Sequence, residues 1–476
     1  MTVQGSAADV AQSASPGLKK NTIGAFGMTF MVIAAAAPMT AMASNLSISL
    51  ALGVGAGTAG QLILVAGLLA IFAVGFVVLS RHVTNAGAYY VFIGYGLGKR
   101  TGAASAFVAS VAYNMAAGGM IAATGYFASL TVESYTGLSV PWYVYGAVAL
   151  VVTGLLGVRG VGIAQRFTTG ISLIQFGIII ALGVAILLQR PEGWSLAVFS
   201  PSAAFNGNIA ISLVFCVLSF AGFEATAIYG EEAKAARRSI KIATYSSLIL
   251  LAAVFVFSTW SIVSAFDDVQ SVALEDAGTL VFRTADMYLG PWSGGVLSTV
   301  VTVSFLAAAI AFHNMAARYL FALGRTGLLP KRLARTHSRF GTPYISSMVQ
   351  IAISFVMLVP FVLTQADPIV NLFPAVSGIT SLSLTSLMIG CCVSIIVAST
   401  RKLLPEGLWA TIVAPAISGA GLLIIVIIIV MNYQAVTGSD SLVVALMPAI
   451  PAAAAIYGAI AYRRRHAADL EEHLKE

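Results

Sequence analysis

Glu224 lies in the run SFAGFEATAIYGEE (219–232), two residues after Gly222 and among apolar neighbours. Three kinds of chemistry are open to a carboxylate so placed: it can hold a cationic group, take up and release a proton, or cap a helix that starts beside it. The amides and positive dipole end of a helix start favour the charged form, while removal from water favours the neutral acid. His313, in AFHNMAARY, is a second ionisable group in apolar surroundings. It can exchange protons or, as neutral imidazole, hydrogen-bond within a packed bundle.

Two backbone breakers accompany these groups. Pro38 sits in MTFMVIAAAAPMTAMASN and Gly222 in LVFCVLSFAGFEATAIYGEE. Proline has no N–H and clashes with the preceding turn, yet it suits the first position of a new helix. A half-helix is therefore expected to start at Pro38 after a break at about 34–37. The backbone of Ala36 and Ala37 and the free amides of Met39 and Thr40 would then meet a carboxylate. At the other break the carbonyls of Leu218, Ser219 and Phe220, beside Gly222, would meet an amine. Together these ends describe a clamp for a zwitterion. The plainer alternative is a kink at Pro38 and close packing at Gly222, since both residues are frequent in membrane helices.

The elements that must position these residues are membrane helices. Of the 476 residues, 59% are hydrophobic and 9% charged, with mean hydropathy +0.93, far from an ordinary soluble domain. Apolar runs recur from residue 22 to residue 462, each of the roughly 20 residues needed to cross a hydrocarbon core as a helix. The alternation of a membrane β-barrel does not appear. Twelve spans are expected, at 22–52, 60–80, 101–131, 141–158, 165–189, 207–231, 240–266, 291–324, 344–364, 368–398, 405–432 and 440–462. The basic residues Lys19, Lys20, Arg81, Lys99, Arg100, Arg159, Arg166, Lys234, Arg237, Arg238, Lys241, Arg401 and Lys402, with those of 325–339 and 463–465, then share one side. Arg190 and Arg283 fall on the other, with the acidic residues Asp267, Asp268, Glu275 and Asp276. By the positive-inside rule both termini are cytoplasmic. Residues 1–21 are small and polar, with no basic start or cleavage site, and read as a disordered cytoplasmic tail rather than a signal peptide; 463–476 read as a second tail. The net charge of +7 is then a property of the cytoplasmic face, suited to anionic lipid heads of the bilayer and not to nucleic acid.

Several classes are excluded or disfavoured. GYGLGKR (94–100) lacks the first glycine of a phosphate-cradling loop, Ile93 standing there, and Arg100 replaces the magnesium-holding Ser or Thr. No nucleophile elbow, HExxH pair or paired intramembrane aspartates marks a protease, so an enzyme is not expected. Cys216, Cys391 and Cys392 lie within spans without metal-type spacing and read as packing residues; no disulfide, metal or cofactor is expected. Channels tend to assemble a pore from symmetric subunits, whereas interrupted helices in corresponding positions of two halves mark the site of a secondary transporter. The interrupted spans here, the first and sixth, are five apart.

At this point the motifs meet a known family. SFAGFEATAIYGEEAKAARRSI resembles the sixth-helix signature of the amino acid-polyamine-organocation (APC) superfamily. ARYLFALGRTGLLPKRLARTHSRFGTP (317–343) resembles its eighth-helix end and following loop, with Arg318, Gly324, Arg325, Gly327, Pro330 and the 341–343 turn in order. SRHVTNAGAYYVFIGYGLG extends the likeness over most of residues 20–400; it is weakest in the last two spans. The resemblance implies an all-α polytopic protein with a five-plus-five inverted repeat (22–189 and 207–398), broken helices 1 and 6, and two extra helices over 399–462. It implies secondary active transport of amino acids or related amines. It further implies that Tyr113 and Asn114 on span 3 line the substrate path and that Phe220 and Phe223 are aromatic gates; interhelical hydrogen bonding and core packing are the alternatives. The chain departs from the pattern where alanines replace the usual glycines of the first break, where Ala235, Ala236 and Lys241 replace common prolines, and where Gln175 stands at the lysine of some proton-coupled members.

The expectation is an inner- or plasma-membrane permease working by alternating access. Its substrate is a neutral α-amino acid, since Glu224 is the one acidic side chain near the clamp. Coupling is to protons or by exchange, with Glu224, His313 and Gln175 as the positions to weigh. A polyamine or other organic amine, held by aromatic rings and Glu224, is the alternative substrate class, and a non-transporting sensor on the same scaffold the alternative function. Oligomeric state is left open.

Overall fold

The computed structural model describes residues 23–83, 88–159, 161–228, 230, 233–338, 340–365, 367–437 and 445–473, without the side chains of 34, 161–168, 370 and 466–473. The expected 1–21 tail, Glu231, Glu232, Arg339 and the middle of the motif after span 2 lie outside the described residues. Among the described residues the regular elements are helical, joined by one isolated parallel bridge between Ile23 and Ala233.

Ten of these helices are long and apolar enough to cross a membrane, and they match expected spans 1–5 and 7–11, from Ala25–Leu52 to Trp409–Met431. The sixth span falls short because it is split, into Ile209–Ser219 and Ala225–Ile228. The last helix, Ala449–His473, runs through the 463–465 arginines, and the expected start of span 12 at 440 lies outside the described residues. Residues 463–473 of the expected second tail thus continue the helix, because the stretch holds good helix formers and no glycine or proline.

Burial sorts the bundle into inside and outside. The most hydrophobic windows of Ala25–Leu52 and Lys99–Thr136 are 82% and 83% buried by protein, whereas that of Trp142–Arg159 is 22% buried. The broken first span is therefore central and the fourth faces lipid. Lys99–Thr136, 38 residues and so about 57 Å long, is the axial strut. It packs against Ser293–Arg325, Phe373–Thr400 and Ala449–His473. On the acidic face, the segment between spans 7 and 8 carries two further helices, Val269–Glu275 and Leu280–Leu289. The first is capped by Asp268, whose Oδ1 accepts the amides of Gln270 and Ser271 at 3.1 and 3.2 Å. Bonds from the Ser271 hydroxyl and amide hold that carboxyl below its usual range.

Candidate functional site

The first span breaks at a single residue. Helix Ala25–Ala36 ends where Ala37 turns left-handed (φ 42°, ψ 77°), and Pro38 opens the next half-helix. A left-handed alanine costs about 1–2 kcal/mol, so surrounding contacts must hold it. The Ala37 carbonyl supplies some of them, accepting from the Thr40 hydroxyl at 2.6 Å and the Thr40 amide at 2.9 Å. Met39 N–H has no partner in its own helix and donates to Gln175 Oε1 of span 5 at 3.1 Å. The expectation of free amides at Met39 and Thr40 is thereby corrected: a cap supplied from another helix occupies one and the Ala37 carbonyl the other, as buried donors require.

The sixth span breaks over 220–224. Gly222 has φ +106°, a conformation L-residues avoid. Of the three carbonyls expected to be open, that of Leu218 accepts from Ala221 N–H at 2.9 Å and that of Phe220 from Phe223 N–H at 3.3 Å. The turn consumes them to close itself. Phe220 packs edge-on to Phe255 (5.3 Å between centroids), and Phe223 lies against Phe72 and Phe76 at 6.1 and 6.2 Å. Both rings are fully buried.

The two breaks touch. A Cβ on Gly222 would stand 3.0 Å from Ala35 Cβ and 3.6 Å from Ala36 N. Beside the contact, Asn45 Nδ2 donates to Ser219 Oγ at 3.3 Å, tying the half of span 1 after Pro38 to the half of span 6 before Gly222. Among the described residues no donor reaches buried Asn45 Oδ1. Asn45 was missed in the sequence; it lies in a π-helical turn, Met42–Leu46, whose wider period no α-helical spacing rule anticipates.

Glu224 is fully buried at the foot of the turn. Its Oε2 accepts Gly222 N–H at 2.9 Å and its Oε1 accepts the Tyr113 hydroxyl at 2.8 Å. The carboxylate thus reaches back to brace the break and across to span 3. Tyr113 stacks on Tyr319 of span 8 (5.1 Å, 21°), and Tyr89 lies against Phe76, which also meets Phe223 (6.1 and 6.2 Å). These two tyrosines were not singled out in the sequence, since nothing local separates a buried tyrosine from an interfacial one. Asn114, next to Tyr113, donates to the Ser110 carbonyl at 2.7 Å.

His313 stands apart from this cluster. Its Nδ1 bonds Gln350 Oε1, its Nε2 pairs with Ser347 Oγ at 2.6 Å, and Gln350 Nε2 passes the chain on to Ser354 Oγ at 2.8 Å. Gly157 leaves room for the ring from span 4. Both nitrogens are used in binding span 8 to span 9, and the structure does not bring His313 to the breaks.

A chain of membrane helices with two facing breaks around one buried carboxylate has the architecture of a permease, and comparison with known proteins agrees. The model of a family described as amino acid permease matches residues 23–455; the chain belongs to that family, within the APC superfamily. It is 23% identical over 286 residues to the serine/threonine exchanger SteT of Bacillus subtilis (strain 168), covering 59% of this chain and 63% of the exchanger. It is 24% identical over 216 residues to the low-affinity putrescine importer PlaP of Escherichia coli (strain K12), covering 45% of this chain and 46% of the importer. The crystal structure of MhsT in complex with L-phenylalanine shares the fold, with a TM-score of 0.62 at 16% identity, over 87% of this chain and 100% of that one.

Proposed function

We propose that the protein is a secondary active transporter that moves a neutral α-amino acid across the cytoplasmic membrane by alternating access, with both termini in the cytoplasm. The observation that carries the proposal is the contact of the two breaks, Gly222 against Ala35 and Ala36, with Gln175 on one side and Glu224 on the other. A half-helix start and a half-helix end that meet away from water provide paired sites for a carboxylate and an amine. The substrate carboxylate competes with Gln175 Oε1 for the Met39 amide, and opening of the 218–220 turn exposes carbonyls to the amine. Phe220 and Phe223 close over the substrate from span 6, and Tyr113 and Asn114 line its path on span 3. Membership of the amino acid permease family and the likeness to a serine/threonine exchanger support this substrate class.

Coupling is assigned to Glu224 by protonation or by obligatory exchange, and not to sodium. His313, with both ring nitrogens engaged between spans 8 and 9, serves as a structural link. An amine substrate is the second reading, favoured by the likeness to a putrescine importer and by a site whose one carboxylate could meet a cation. A thermal-shift screen of the purified protein against amino acids, their carboxyl esters and diamines separates the two. Stabilisation by the amino acid but not its ester supports the first reading, and equal stabilisation by ester or diamine refutes it. A protein that binds but gives no uptake into proteoliposomes is a sensor.

A further inference from the structure

At the end of the bundle that carries the basic residues, a cleft of about 470 Å³ opens between the segment after span 8 and the last helix. Gly327, Leu329, Lys331, Tyr457 and Arg465 line it, and among the described residues no acidic side chain does. The Arg465 guanidinium lies directly over Gly327, where a Cβ would come within 2.6 Å of Cζ, and Gly327 itself is left-handed at φ +69°. The positive φ favours glycine, and the absence of a side chain there lets the guanidinium rest on the backbone of the segment. Arg465 is half-buried and Lys331 exposed at the rim, a planar fork and an ammonium lining one cleft.

The depth of the cleft names its ligand. Tyr457 is 57% exposed and packs edge-on to Phe107 at 5.1 Å, while Ile456 and Ile460 on the same helix are also exposed. An apolar flank that ends in a tyrosine and then in basic residues marks the boundary between hydrocarbon and head groups. A guanidinium and an ammonium converging there suit a phosphate oxygen cluster. We propose that this cleft binds the phosphodiester head group of an anionic lipid, seating the last helix against the segment after span 8.

Native mass spectrometry of the full chain in mild detergent, titrated with short-chain phosphatidylglycerol, phosphatidylcholine or glycerol phosphate, tests this. Saturable phosphatidylglycerol binding, well above phosphatidylcholine, is expected to weaken about fivefold in each of Lys331→Gln and Arg465→Gln and about 25-fold in both. Arg464→Gln, which removes the same charge from an exposed neighbour outside the cleft, is expected to change it by less than about twofold. Equal loss in Arg464→Gln would reduce the effect to a diffuse field and overturn the proposal. Equal binding of phosphatidylcholine overturns it too, and competition by glycerol phosphate at matched concentration would make the ligand a soluble phosphate. Lys331→Gln alters an exposed side chain and decides the matter even if Arg465→Gln fails to fold.

Discussion

Replacing Gly222 with alanine puts the contact of the two breaks under direct test. The residue sits at φ +106°, and the added methyl would meet Ala35 Cβ at 3.0 Å. Holding an L-residue in a sparsely populated region costs about 1–3 kcal/mol, and the methyl contact adds to that because Ala35 is itself packed in the core. If the cost falls on the conformation in which the breaks face each other, ligand affinity drops by about 5- to 150-fold. Gly119→Ala is the control. Its Cβ would also be tight, at 3.1 Å, but against Val376 Cγ1, a side chain of span 10, and Gly119 is helical within Lys99–Thr136. The control is expected to lower thermal stability and yield while leaving affinity within about twofold. Isothermal titration on both variants, with folded fraction measured by size exclusion, gives the comparison. Wild-type affinity in Gly222→Ala, or the same loss in both variants, refutes the argument that the breaks form the site.

Four further outcomes follow from the geometry. Gln175→Ala strips the cap from Met39 N–H, so the protein without ligand should lose about 1–3 kcal/mol and gain a larger thermal shift when a carboxylate substrate fills the place; an unchanged shift contradicts the competition. Tyr113→Phe deletes the bond to Glu224 Oε1 and should cost about 1–3 kcal/mol, read as a lowered melting temperature with the chain still folded; no change would mean that the bond braces nothing. Glu224→Gln should bind and exchange substrate but lose accumulation driven by a pH gradient, and retained accumulation would leave Glu224 as the brace of the 220–224 turn alone. Cysteines placed at Ser338 and Ser271 in a cysteine-free background should label from opposite sides of the membrane; labelling from one side contradicts the topology.

The helices were legible because their signal is composition over about 20 residues, which tertiary packing does not disturb. The break at Pro38 was legible for a similar reason: a missing N–H acts locally, whatever surrounds it. At Gly222 the glycine announced a break, but the partners of its turn depend on long-range contacts. No local rule could show that Gln175, 136 residues from Met39, caps the half-helix that starts at Pro38. Nor could one show that Tyr113 reaches Glu224 across 111 residues. His313 looked like a coupling group because its isolation in an apolar run is visible in sequence, whereas Gln350 and Ser347, which use both its nitrogens, stand on another helix. The full length of the last helix was not legible, because the 463–465 arginines end a hydrophobic window without ending a helix.

Counterflow in proteoliposomes tests the central claim most directly. Vesicles loaded with a neutral α-amino acid identified by thermal shift are diluted into trace labelled amino acid, with no ion gradient. The account predicts a transient uptake that overshoots equilibrium, is absent with the carboxyl ester inside, and is strongly reduced in Gly222→Ala. Binding without flux above empty vesicles, or equal counterflow driven by the ester, would contradict it.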